Sequence, residues 1–139
     1  MGLDFGAHTC GVAVSDGLGI TAQGVEIIRR EKPTKYRTTL ARIGELVQKY
    51  SVNTFVLGLP LGLDGIEGER CQKTRDFAEA LQKRFPEIPI CFQDERFTTV
   101  ESHEAMEFTG VQKKAHKKYV DELAAMLILQ RYMDEHRQS

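Results

Sequence analysis

Residues 2–16 read GLDFGAHTCGVAVSD. Gly6 and Gly11 bracket one turn, Val12 and Val14 alternate with small residues, and Asp16-Gly17 marks a second turn. The pattern predicts strands over Gly2 to Phe5 and Gly11 to Ser15, with a third over Val25 to Arg29 carrying Ile27 and Ile28. Short strands with tight connections make an antiparallel meander. Asp4 interrupts this apolar, glycine-rich opening. A carboxylate in a central strand is costly unless it is paired with a cation or bound to one.

Beyond Pro33 the period changes. Tyr36, Leu40, Ile43, Val47 and Tyr50 form a helical stripe. Thr54 to Leu59 (TFVLGL) is a continuous apolar run suited to a buried parallel strand, and a loop with Gly62, Gly65 and Gly68 follows it. Phe77, Leu81 and Phe85 mark a second helix stopped by Pro86, and Ile88 to Phe92 reads as another strand. Thr98-x-x-Glu101 is a capping box opening a third helix that ends near Gly110. The basic tract QKKAHKK leads into a last helix from about Tyr119 to about Glu135. The order βββ-α-β-α-β-α-α predicts an α/β domain, a mixed five-stranded sheet flanked by helices. No repeat, linker or low-complexity tract divides residues 1–139, so one domain is expected.

Composition narrows the function. With 139 residues, 41% hydrophobic and 28% charged, the chain is an ordinary globular one. The run Leu123 to Leu129 is far short of the roughly 20 apolar residues that span a bilayer. No signal-peptide pattern opens the chain, so a cytoplasmic protein without a membrane partner is expected. Cys10, Cys71 and Cys91 form no CxxC pair and read as reduced thiols. Net charge is −1, so any nucleic-acid contact rests on local patches.

Acids stand out at three places: Asp4, the Asp94-Glu95 pair at the end of the strand Ile88 to Phe92, and Asp121 at the start of the last helix. Ala124, Ala125 and Ile128 share the face of Asp121, so that helix can lie close to the sheet. Crowded carboxylates are relieved by a hard cation with oxygen ligands, and one or two Mg²⁺ ions so held bridge a scissile phosphate. Structural roles also fit. Asp4 can pair with a buried cation, Asp94 can cap a turn, and Asp121 suits a helix N-terminus.

The strings GLDFGAHTCGVAVSD, FVLGLPLGLDGIEG, DERFTT and KKYVDELAAMLILQRYM occur in the order seen in the bacterial YqgF/RuvX family, which the chain resembles over nearly its whole length. The resemblance implies an RNase H-like fold and Mg²⁺- or Mn²⁺-dependent nuclease chemistry. Asp4, Glu95 and Asp121 match the family's catalytic, metal-holding acids, with Asp94 a possible additional ligand. The implied substrate is precursor ribosomal RNA of the small subunit, cut in maturing its 5′ end. The alternative is four-way DNA, cut by a Holliday junction resolvase. Three departures stand against the family pattern. The first strand is short, His8 occupies a place where many relatives carry Lys or Arg, and Gly62 replaces a common Asn.

Lys113, Lys114, Lys117 and Lys118, with Arg96, are the candidate nucleic-acid contacts. The lysines are placed in the loop entering the helix of Asp121. Arg29, Arg30, Lys32, Lys35 and Arg37 make a second basic segment, read as a solvated helix entry. The glycine loop lacks the Gly-Lys-Ser/Thr of a Walker A sequence. The absence of Trp argues against a stacking platform and for recognition of a structured substrate by shape. A non-catalytic binding module is a third reading, and a more distant one is an actin-like nucleotide-binding half. Symmetric cutting of a junction suits a homodimer, and the sequence is compatible with a monomer or a homodimer.

Overall fold

The opening segment folds as β1 (Gly2–Phe5), β2 (Thr9–Ser15) and β3 (Ala22–Arg29), a meander in which both neighbouring pairs are antiparallel. The structure is a computed structural model. It describes residues 1–16, 21–61, 68–94 and 113–136, with the backbone alone at 113–122. After β3 come α1 (Arg37–Tyr50), β4 (Phe55–Leu59), α2 (Glu69–Arg84), β5 (Ile90–Asp94) and α3 (Lys113–His136). The helix expected from Thr98 to Gly110 lies outside the described residues, as do positions 62–67 of the glycine loop.

The sheet has five strands in the order β3-β2-β1-β4-β5, with β4 parallel to both β1 and β5. It is the mixed sheet the element order implies. β2 and β3 each start earlier than the alternation suggests, at Thr9 and Ala22. Their ladder runs from Thr9 opposite Arg29 to Ser15 opposite Ala22, and it carries polar Gln23 and Gly24 that a hydrophobic pattern passes over. β5 starts and ends two residues later than expected. Pro89 has no N–H for a ladder, although its carbonyl still accepts from Phe55 N at 2.9 Å. The Gln82 amide ties the preceding turn by donating to the carbonyls of Phe85 and Ile88, each at 3.0 Å.

Strand alternation sorts side chains between two layers. Leu3, Phe5, Val12, Phe55 and Leu57 face Ile43 and Leu46 of α1 and Phe77 and Leu81 of α2. Phe5 stacks on Phe77 with ring centroids 4.3 Å apart, and Tyr36 meets both rings edge-on. The other face carries Ala13, Ala22 and Val56 under Ala125, Ile128 and Leu129 of α3. Small residues on both sides let this helix approach. A Cβ on Gly2 would stand 2.7 Å from Leu129 Cβ and 2.9 Å from the Ala125 carbonyl oxygen.

α3 corrects the reading of the basic tract. The helix begins at Lys113, so Lys113, Lys114, Lys117 and Lys118 form its first turns instead of a preceding loop. Lysine and alanine are good helix formers, and like charges lower helicity by only tenths of a kcal/mol per pair. Among the described residues no helix is long and apolar enough to cross a membrane.

Candidate active site

Asp4 lies in β1 with Gly2 on the face under α3, while Leu3 and Phe5 point into the opposite layer. Its partner on β2 is Gly11. On the other side, β1 and β4 are in register from Gly2 with Val56 and Leu3 with Leu57, and one step further brings Asp4 beside Gly58. Both strands flanking this carboxylate therefore present glycine. Glycine inside a strand weakens it and marks a place where a ligand or another backbone comes close. Here it leaves a bare shelf around one half-buried acid.

α3 roofs this shelf. It runs antiparallel to β1, because Met1 at the start of the strand shares a 310 Å³ cavity with Leu129, Tyr132, Met133 and His136. Ala125 and Leu129 lie over Gly2. One helical turn back from Ala125 is about 6 Å of axis. Two residues forward from Gly2 is about 6.6 Å of strand. The backbone at position 121 thus stands over the stretch of β1 that holds Asp4. Ala125, Ile128 and Tyr132 continue the helical stripe on which Asp121 sits.

The acidic pair at the end of β5 divides by alternation. Asp94 is in register with Leu59, which shares a face with Leu57 and Phe55. Asp94 is therefore directed to the α1–α2 side, away from the face of Asp4. Gln93 lies on the α3 side, where its amide donates to Glu135 at 3.2 Å, and Cys91 meets the Tyr132 hydroxyl at 3.5 Å. Glu95 and Arg96 lie outside the described residues. The side chains of Asp121 and of the four lysines are outside the description as well. Among the described residues no three acids, histidines or cysteines stand close enough to hold a metal. The proposed donors are all carboxylates, a set suited to Mg²⁺ or Mn²⁺ and unsuited to zinc or copper, and the glycine shelf offers them space.

Two further features were not legible in the motifs. Strands β1, β3, β4 and β5 all run the same way, so Asp4, Arg29, Leu59 and Asp94 end at one edge of the sheet. Open sheets with parallel strands bind ligands outside such carboxyl ends. The glycines at 11 and 58 were a readable signal once the register placed them beside Asp4. Arg30 at the same edge is 6% exposed, contrary to a solvated helix entry. Its Nη2 donates to the carbonyls of Gly6 and Ala7, and its guanidinium lies 4.3 Å over the Phe5 ring. Burial lowers its pKa.

Among the described residues no hydrogen bond joins a thiol to a histidine or a carboxylate. Cys10 is buried and pushed up to about 12, by burial first and by the Asp4 charge second, which leaves it a neutral thiol. The Cys71 thiol donates to the Pro60 carbonyl at 3.2 Å, anchoring the start of the glycine loop to α2. His8 Nδ1 donates to the Arg30 carbonyl at 3.3 Å, bracing the β1–β2 turn.

Comparisons with known proteins agree with this architecture. The family model described as "RuvX: Holliday junction resolvase" matches residues 1–135. A protein of Agathobacter rectalis named "Putative pre-16S rRNA nuclease" is 51% identical over 134 residues, 96% of this chain and 93% of that protein. One of the same name from Limosilactobacillus reuteri is 47% identical over 137 residues, 98% of this chain and 92% of that protein. Among solved structures, T. thermophilus RuvC in complex with Holliday junction substrate aligns with a TM-score of 0.57 and 15% identity, over 98% of this chain and 93% of RuvC. At that identity the likeness speaks for the fold, which is RuvC-like. On the family match over almost every residue, and on relatives near half identity, the chain belongs to the RuvX family.

Proposed function

We propose that this chain is a metal-dependent endonuclease that hydrolyses phosphodiesters in structured nucleic acid, with precursor small-subunit ribosomal RNA as its substrate. The observation that carries the reading is Asp4 at the carboxyl edge of the sheet. It is flanked by Gly11 and Gly58 and roofed by the helix of Asp121. Asp4, Glu95 and Asp121 hold the metal, and the bare shelf admits the phosphodiester that side chains there would exclude. A bound Mg²⁺ or Mn²⁺ supplies an activated water and neutralises charge on the leaving oxygen. Asp94, directed to the other face, braces the strand end. Arg96 and the lysines opening α3 meet backbone phosphates as the substrate enters. The choice of RNA rests on the names of the relatives near half identity. The description of the family model favours a second reading, cleavage of four-way DNA junctions with the same chemistry.

The test is cleavage of precursor ribosomal RNA and of a four-way junction in Mg²⁺, Mn²⁺ or EDTA. The Asp4→Asn and Asp121→Asn variants are run beside the unaltered chain and checked for folding by circular dichroism. Metal-dependent cutting lost in both folded variants is expected, and the better substrate chooses between the readings. Undiminished activity in both variants refutes the assignment. Binding without cutting, indifferent to EDTA, makes the chain a binding module.

A further inference from the structure

Arg29, Arg30, Lys32, Lys35 and Arg37 surround a surface concavity of about 510 Å³ with Glu31 and Thr38, where β3 hands over to α1. Five cations meet one carboxylate there, in a chain whose net charge is −1. Two structural details distinguish this concavity from an ordinary solvated charge run. Arg30 is almost completely buried. Among the described residues no carboxylate pairs with it, and its Nε and Nη1 find no acceptor. A buried charge without an opposite partner is expensive, and its field is weakly screened. Next, α1 starts at Arg37 with no side-chain cap on Tyr36 and no acidic residue in its first turn, so among the described residues neither device meets its N-terminal N–H groups and dipole, which suit an anion.

We propose that this concavity seats a backbone phosphate of the nucleic-acid substrate, as a second anchor apart from the carboxylates. The inference rests on the nucleic-acid reading above. Lys32, Lys35 and Arg37 are exposed and make the contact, while buried Arg30 supplies positive potential from behind and holds the Gly6–Ala7 turn. That turn follows β1 directly, which ties the seat to the strand of Asp4. The seat lies at the same sheet edge as Asp4 but on the α1 side, two strands away, or about 10 Å at ordinary strand spacing. A strand bound at both places wraps the edge of the sheet, which favours a bent or branched substrate over a straight duplex.

The experiment measures binding of a fluorescent structured RNA by anisotropy in EDTA, across a range of salt concentrations. The unaltered chain is compared with Lys32→Glu/Lys35→Glu, a pair of exposed changes that spares the buried Arg30. The expected result is at least a tenfold weaker affinity at low salt. The slope of log affinity against log salt should also become shallower by about 1 to 2, near one unit per lost phosphate contact. An unchanged affinity and slope overturn the proposal. A second arm titrates inorganic phosphate at constant ionic strength and follows the amides of Arg37 to Leu40 by NMR. If these saturate with phosphate while the double variant binds RNA normally, the site takes a free anion and the proposed seat falls. Metal-dependent cleavage separates the two claims. A chain that never cuts, yet shows the variant-dependent slope, loses the nuclease reading and keeps the seat. A chain that cuts with an unaltered slope in the variant loses only the seat.

Discussion

Gly2 and Gly44 show how the same substitution takes opposite signs at two places. A methyl group on Gly2 runs into Leu129 Cβ at 2.7 Å and a backbone carbonyl at 2.9 Å, neither of which is the far end of a flexible side chain. The helix must lift, and overpacking of this kind costs about 1–3 kcal/mol. Gly44 lies inside α1, where its added methyl finds Phe85 Cζ at 3.5 Å, an ordinary contact. Alanine there removes unfolded-chain entropy and should stabilise by about 0.5–1 kcal/mol. Urea unfolding should thus move the midpoint down for Gly2→Ala and up for Gly44→Ala. Cleavage, measured where both variants are folded, should fall only in Gly2→Ala, because lifting α3 carries position 121 away from Asp4. Equal activity in the two variants would separate the helix approach from catalysis.

Between elements, the clearest polar tie is the one from α1 to β3. Arg42 donates from Nε and Nη2 to the two carboxylate oxygens of Glu26, at 2.9 and 2.7 Å, and from Nη1 to Glu45 at 2.8 Å. The Arg42 hydrogen bonds hold the Glu26 pKa below its ordinary value against the opposing effect of burial, and the charges of Arg42 and Lys49 lower it further. A depressed folded-state pKa adds stability above the unfolded value, and that stability is lost as pH falls through the folded value. Both side chains are partly exposed, so solvent screening keeps the contribution to about 0.5–1 kcal/mol. Glu26→Gln should therefore lower stability by that amount at pH 7, and the difference from the unaltered chain should start to close as pH falls past the unfolded glutamate value of about 4.3 and vanish below the folded one. A gap independent of pH would mean that packing, rather than charge, is what Glu26 supplies. This tie was invisible in the sequence, as Glu26 and Arg42 lie on different elements and no local spacing links them. What local spacing did carry was the order of elements within the described residues. Val12 with Val14 and the stripe from Leu40 to Val47 are periodic, and β1 was bounded correctly. Both ends of β5 and the start of α3 were misread because Pro89 forbids a ladder bond and because lysines extend a helix as readily as they populate a loop. Asp4 was legible as an acid out of place. The shelf around it was not, since Gly11 and Gly58 become its neighbours only through the pairing of three strands.

At the scale of the whole molecule, opposite charges gather at one edge of the sheet: Asp4 on the α3 side and the cations around Arg30 on the α1 side. Sites that collect like charges and bare backbone are built at the expense of stability, and a bound ligand of opposite charge restores it. The proposed metal centre therefore has a thermodynamic signature that does not depend on finding the right substrate. Without metal, Asp4→Asn removes one of the carboxylates proposed to crowd there and should unfold at a temperature equal to or above that of the unaltered chain. With Mg²⁺ at 100 times its dissociation constant, binding to the folded state stabilises the unaltered chain by about 2.7 kcal/mol. For a chain of this length that is a rise of roughly 10 °C in Tm, and it should be reversed by EDTA. Asp4→Asn should show little or none of that rise. Calorimetric scans of both proteins, with MgCl₂ or with NaCl at matched ionic strength, separate specific binding from screening. If Mg²⁺ raises both transitions equally, or does no more than NaCl, Asp4 does not hold the ion, and the acid in β1 is there for the fold alone.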